Sequence, residues 1–250
     1  MEDRPTGATL ASDTLTYSAG GHAMTIHSDP GVFRPTLTTW IMIEQVLRHP
    51  LQGKVILDLG CGSAPIAISL ALAGACHVYA TDLMHSACEL SRRNAEANGV
   101  KDRITVLQGD LFEPVSNLKF DVIVDDVSGV AEGVARLSSW FPEGVPLGGV
   151  DGTTATIEML EQVESYLKPG GCLFFPVLSL SASVKILEVA SRLFGSRMSR
   201  VASKHIPFNN ELKANLNTLI DLRNSGLVSF DQVRSRLFWT LDVYRIAAIT

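Results

Sequence analysis

Between residues 54 and 194, short apolar runs alternate with stretches in which apolar residues recur every three or four positions. The short runs predict strands at 54–59, 77–81, 104–107, 120–124 and 172–175. The periodic stretches predict helices over about 65–74, 84–98, 155–167 and 182–193. Strands buried on both faces by alternating helices are the pattern of an α/β fold with a largely parallel sheet. Ahead of this block, Leu15 to Ser28 reads as a hairpin around Gly20-Gly21, and Thr38 to Leu47 as a helix closed by Pro50. Behind it, 205–208 and 239–249 read as two last strands. They are separated by a polar helical stretch, 211–222, within an insertion of about 209–236. Leu212, Leu216, Leu219, Ile220 and Leu222 make that helix amphipathic, which suits a lid, a dimer contact or packing on the sheet edge alike. The economical division is a small cap over 1–52 and a main domain over 53–250, with 1–13 as a frayed leader.

Composition narrows the field. With 46% hydrophobic and 19% charged residues among 250, the chain buries a sizeable core. Its formal charge of −5, without a Lys/Arg run, predicts no nucleic-acid partner. Cys61, Cys76, Cys88 and Cys172 form no CxxC pair and read as thiols of a reducing compartment. The polar N-terminus and the short apolar stretch Ile66 to Ala75 predict a soluble, cytoplasmic protein without a membrane anchor.

The chemistry concentrates at Val55-Ile-Leu-Asp58-Leu-Gly60-Cys61-Gly62-Ser-Ala-Pro65. A tight glycine turn between a strand and a helix lets a ligand approach the backbone. Asp58 stands just before the turn, and Asp82 ends the next strand, where an acid accepts from ribose hydroxyls. Ala64-Pro65 replaces the third glycine of a dinucleotide fingerprint, which favours a single nucleoside.

Asp58-Leu-Gly-Cys-Gly62, Ala80-Thr-Asp82 and Gly109-Asp110-Leu-Phe resemble, in order, spacing and strand placement, the motifs of class I S-adenosylmethionine-dependent methyltransferases. The resemblance implies a Rossmann-like fold with a seven-stranded, mostly parallel sheet, its last strand antiparallel, and helices on both faces. It implies S-adenosylmethionine as cofactor: Gly60, Cys61 and Gly62 under the methionine moiety, Asp58 toward its ammonium, Asp82 on the ribose, and Leu83, Asp110 and Leu111 around adenine.

Val32-Phe33-Arg34-Pro35-Thr36, Arg92-Arg-Asn-Ala-Glu-Ala-Asn98 and Gly148-Gly-Val-Asp151-Gly152 are similar to the branch that methylates glutamine side chains of release factors. By that likeness Phe33 and Arg34 belong to a segment closing over the cofactor. The branch carries Asn-Pro-Pro-Tyr after the fourth strand, whereas this chain has Asp125-Asp126-Val127-Ser128. Without an amide donor, a proline pair or a stacking ring, methylation of glutamine, adenine or cytosine is disfavoured.

A carboxylate only accepts hydrogen bonds, so Asp125 and Asp126 suit orienting an amine or hydroxyl, accepting its proton, and stabilising a nearby sulfonium. Repulsion between two carboxylates sharing a pocket raises one pKa and favours a shared proton; alternatively one caps the following turn and only the other faces the pocket. Both are candidate catalytic residues, with Asp125 also beside the cofactor. Phe174 and Phe175, as cation–π partners, and Tyr17 and Ser128 are candidates for the substrate pocket. Phe174-Phe175-Pro-Val-Leu178 supplies no further carboxylate, so no metal is expected.

The leading expectation is methyl transfer to a small polar amine or hydroxyl compound by a monomer or homodimer. The alternatives are a cyclase converting S-adenosylmethionine to azetidine-2-carboxylic acid with release of 5′-methylthioadenosine, and a non-catalytic nucleoside-binding protein.

Overall fold

The computed structural model describes residues 9–11, 14–127 and 129–249. Strands β1 (Thr9–Ala11), β2 (Thr14–Ala19) and β3 (His22–His27) form an antiparallel meander. Gly20 and Gly21, both at positive φ, supply its β2–β3 turn. Most of the expected leader lies outside the described residues, and Thr9–Ala11 pairs with Thr14–Thr16.

Helix α1 (Leu37–Val46) leads into the main sheet. From there follow β4 (Val55–Leu59), α2 (Pro65–Leu72), β5 (His77–Asp82), α3 (His85–Ala97), β6 (Ile104–Gln108) and β7 (Phe120–Asp125). The second half comprises α4 (Glu132–Ala135), α5 (Thr154–Gln162), β8 (Leu167–Leu178), α6 (Ser183–Phe194) and β9 (Met198–Pro207). It ends with α7 (Asn210–Ala214), α8 (Leu216–Asn224), β10 (Asp231–Val233) and β11 (Arg236–Ala247). The sheet order is β10-β11-β8-β7-β4-β5-β6, with β9 pairing β11. Strands β8, β7, β4, β5 and β6 run parallel, and β11 runs antiparallel to β8 and β9. This is the Rossmann-like class I methyltransferase fold.

Alternation sorts the side chains onto two faces. Ile56, Val122, Val124 and Phe174 pack with α1, α2 and the hairpin; Leu57, Leu59, Ile123, Leu173 and Phe175 pack with α5 and α6. Among the described residues the main sheet has eight strands, one more than expected. The extra strand, β10, is three exposed residues turned back by Arg234 at φ 57, and so carries no apolar alternation. Strand β9 begins at Met198 instead of about 205, because its first half is a largely polar strand with no apolar period. The insertion holds two helices broken at Asn215, with Leu212 and Leu219 in the core.

Among the described residues no helix is long and apolar enough to cross a membrane. Cys61, Cys88 and Cys172 are buried and Cys76 exposed, all as free thiols.

Candidate active site

A cavity of about 760 Å³ opens at the carboxyl ends of the parallel strands, where ligands bind in open α/β sheets. Its floor is the turn after β4. Gly60 and Gly62 sit at φ +65° and +56°, and a Cβ on Gly60 would stand 2.8 Å from Cγ1 of Val127. Three hydrogen bonds fix this turn and its neighbour: Cys61 N–H to the Thr81 carbonyl (2.9 Å), and the Gly62 and Met84 amides to the two oxygens of Asp82 (both 2.9 Å). Burial raises the Asp82 carboxyl above its usual range, and the two amides pull it part of the way back.

Asp58 is fully buried and lies outside the cavity walls. Strand alternation turns it under α2, where Oδ2 accepts the Ala67 N–H at 3.0 Å. Ala64, the residue capping α2, has no side-chain oxygen, so the strand supplies that acceptor. The structure thus places Asp58, expected to hold the methionine ammonium directly or through water, behind the cavity wall, where it braces the helix that carries the turn.

The two acids at the end of β7 separate. Asp125, the last residue of the strand, pairs with Leu59 in register and shares the face of Ile123. It is fully buried and off the cavity, so the structure does not bring it to the cofactor site where it was expected. Desolvation, then the charge of Asp126, pushes it up to about 8. Asp126 faces the cavity, and its Oδ2 accepts the Thr39 hydroxyl at 2.7 Å. Desolvation raises Asp126 to about 7 against the pull of that bond.

Of the other expected residues, Phe33, Arg34, Cys61, Leu83, Asp110 and Leu111 line the cavity. Leu83 is 49% exposed, free to cover a ring, and Leu111 adopts a left-handed φ of 39°. Three candidates for the substrate pocket lie elsewhere. Tyr17 stacks on Trp40 in the cap core, Phe174 sits beside His49, and Phe175 against Tyr244, each on a core-facing position. Ser128 lies outside the described residues. Among the described residues no three His, Cys, Asp or Glu side chains gather as a metal site.

Several wall residues escaped the sequence reading. Trp140 and Phe141 form a roof: Phe141 meets Phe33 with ring centroids 5.0 Å apart, and Trp140 meets Trp239 at 6.3 Å. Asn209, Asn210 and Glu211, at the start of the insertion, complete the rim, and Glu211 accepts the Ser139 N–H at 3.1 Å. The visible signal was the adjacent Trp140-Phe141 pair in an otherwise unpatterned loop; Thr39 gave none.

The model of the ribosomal protein L11 methyltransferase (PrmA) family matches residues 13–150, more than half of the chain. The chain belongs to the PrmA family. That family is one of methyltransferases, and a structural neighbour was solved with AdoMet. A release factor glutamine methyltransferase of Moorella thermoacetica is 34% identical over 151 residues, 58% of this chain and 53% of that one. A ribosomal protein L11 methyltransferase of Carboxydothermus hydrogenoformans is 34% identical over 128 residues, 50% of this chain and 41% of that one. The chain thus spans about half the length of the curated relatives it matches. In fold it is similar to a T. thermophilus 16S rRNA N2 G1207 methyltransferase solved with AdoMet and guanosine. That likeness has a TM-score of 0.59 at 19% identity and covers 94% of this chain and 50% of that one.

These relatives overturn two expectations, a small-molecule substrate and the exclusion of nucleic acid. The sequence relatives are named for protein acceptors and the structural neighbour for an RNA base, acceptors of the classes that both expectations set aside. Net charge is a weak guide to acceptor class because it averages the whole surface.

The cavity suits the cofactor of this PrmA-family chain. The positive-φ glycines leave a side-chain-free floor, a Cβ on Gly62 would stand 3.6 Å from the Phe33 carbonyl, and Asp82 and Asp110 offer acceptors along the wall.

Proposed function

We propose that this PrmA-family chain transfers the methyl group of S-adenosylmethionine to an amine nitrogen presented by a protein. The observation that carries the reading is the Asp126 carboxylate on the cavity wall, oriented by Thr39 and poised near 7. When bound, S-adenosylmethionine supplies an electrophilic methyl on a sulfonium that is already a good leaving group. The protein's part is then alignment and proton management. Ionised Asp126 accepts a hydrogen bond from an ammonium and takes its proton, freeing the nitrogen lone pair. A group near pH 7 suits an ammonium far better than a hydroxyl, whose proton is much less acidic. An amide needs no deprotonation of this kind but needs a donor for its carbonyl, which a carboxylate at this position does not supply. Phe33, Phe141, Trp140 and Trp239 give the site an apolar wall, and a bound acceptor that displaces water there strengthens the interactions of Asp126.

Gly60, Gly62, Asp82, Leu83, Asp110 and Leu111 hold the donor in this scheme, and residues 1–52 act as a cap whose Phe33–Thr39 segment closes over it. A second reading takes S-adenosylmethionine as the sole substrate. Its own amino group, deprotonated by Asp126, would attack the carbon γ to it, close an azetidine and expel 5′-methylthioadenosine. The aromatic residues Trp140, Phe141 and Trp239 on the wall of the same cavity support this reading, since an apolar surround suits a reaction with no outside acceptor.

One experiment separates the two. The protein is incubated with methyl-labelled S-adenosylmethionine, with and without total ribosomal protein and release factors, and products are followed by mass spectrometry. S-adenosylhomocysteine with labelled protein amines is the expected result. 5′-Methylthioadenosine with a cyclic amino acid and no added protein would replace it by the second reading. Label on glutamine amide nitrogen would refute the amine assignment.

A further inference from the structure

Asn94 of helix α3 and Asn98, the residue capping its C-terminus, face the free edge of the cap hairpin. Asn98 pairs with Thr25 as a neighbouring strand would: the Thr25 N–H donates to Oδ1 at 2.8 Å, and Nδ2 donates to the Thr25 carbonyl at 2.7 Å. Asn94 repeats the pattern at His27, with 2.9 and 3.1 Å. Edge strands left open are exposed to mispairing, and these two amides close this one.

Asn94 does more than Asn98. Its Nδ2 also donates to the Ser63 carbonyl at 2.9 Å. The preceding carbonyl, Gly62, accepts the hydroxyl of Ser91 at 2.8 Å. Two consecutive carbonyls of the glycine turn are thus held from α3, while Asp82 holds the Gly62 amide. Asn94 is fully buried, and both its donors and its acceptor are engaged. A buried carbonyl or amide deprived of its partner pays the full desolvation cost, so this amide strongly fixes the relative position of its three backbone partners.

The structure assigns Asn94 as a positioning residue for cofactor binding, tying the end of cap strand β3 to the glycine turn in a single geometry. The chain leaving His27 reaches Phe33 and Arg34 on the cavity wall a few residues later, so the amide joins floor and cover of the same cavity. The assignment rests on the glycine turn being the cofactor site and is independent of the acceptor.

Three variants test it: Asn94→Ala, Asn98→Ala and Ser91→Ala. The readouts are the Kd of S-adenosylhomocysteine by calorimetry, hydrogen exchange over residues 22–34, and Tm. Asn94→Ala weakens binding about tenfold, as loss of partners for buried backbone groups would. Asn98→Ala speeds exchange at Thr25 but leaves Kd within about twofold, because its amide does not reach the turn. Ser91→Ala weakens Kd and leaves the hairpin protected. Wild-type affinity in Asn94→Ala overturns the assignment, as does an equal loss in Asn98→Ala, which would route the effect through the hairpin alone. If the alanine variant does not fold, Asn94→Asp replaces it, keeping the acceptor for the His27 N–H and losing both donors, with the same expectation. Failure of the wild-type protein to bind S-adenosylhomocysteine would instead refute the cofactor site itself.

Discussion

The Thr39 hydroxyl donates to Oδ2 of Asp126 across 2.7 Å, joining the first turn of α1 to the loop after β7. The Thr39 hydroxyl oxygen itself accepts the Thr36 N–H at 3.3 Å, so the segment entering α1 and the carboxylate on the cavity wall share one hydrogen-bonded atom. Removing the hydroxyl takes away the interaction that holds Asp126 below where burial alone would put it. In Thr39→Val the ascending limb of the pH–rate profile, expected near 7 in the wild type, moves to higher pH. Asp126→Asn lowers kcat by roughly 10²–10⁴ without that shift, the range for losing a general base, and leaves the Kd of S-adenosylhomocysteine nearly unchanged.

Asp125 and Asp126 make stability fall with rising pH. Their folded pKa values, about 8 and about 7, lie above the unfolded carboxyl value, so the folded protein binds the extra protons. The stabilisation they give is complete below about pH 4 and is lost as pH rises through about 8. Thermal unfolding between pH 5 and 8 shows Tm decreasing. Asp125→Asn, neutral throughout, flattens that decrease, gaining on the order of 1 kcal/mol or more over wild type at pH 8.

Leu111 holds a left-handed backbone, φ 39°, on the cavity wall beside Asp110. A leucine there costs about 1–3 kcal/mol, a strain associated with ligand sites. Leu111→Gly relieves it and keeps Tm at or above the wild-type value, while loss of the side chain weakens S-adenosylhomocysteine binding several-fold. Differential scanning fluorimetry and calorimetry on one preparation read both effects, and a joint fall in Tm and affinity would show that Leu111 serves packing.

The roof is visible to fluorescence. Of three tryptophans, Trp140 and Trp239 line the cavity, while Trp40 is stacked on Tyr17 away from it. Titration with S-adenosylhomocysteine changes the emission, and Trp140→Phe removes most of that change. Phe141→Ala, which deletes the contact with Phe33, raises the KM for S-adenosylmethionine about two- to tenfold, in line with ~0.5–1.5 kcal/mol for an aromatic pair. An unaltered KM would mean that the roof does not close on the cofactor.

The sequence by itself determined the parts whose meaning is local. Alternating periods of two and of three to four fixed the parallel sheet and its helices, and the spacing from Asp58 to Asp82 and Asp110 fixed the order of strand ends on which Gly60, Gly62, Asp82 and Asp110 meet. Only the tertiary structure decided the rest. Periodicity gives the side of a strand a residue takes but not where the strand stops; β7 stops at Asp125, which sends that acid into the core and Asp126 into the cavity. Thr39 stands 87 residues before Asp126, and Asn94 67 residues after His27. Such contacts leave no trace in the spacing of neighbours, because the sheet and the cap bring them together only after both have formed. The aromatic roof and the rim from Asn209 to Glu211 belong to the same class: loops whose positions are set by what they cover.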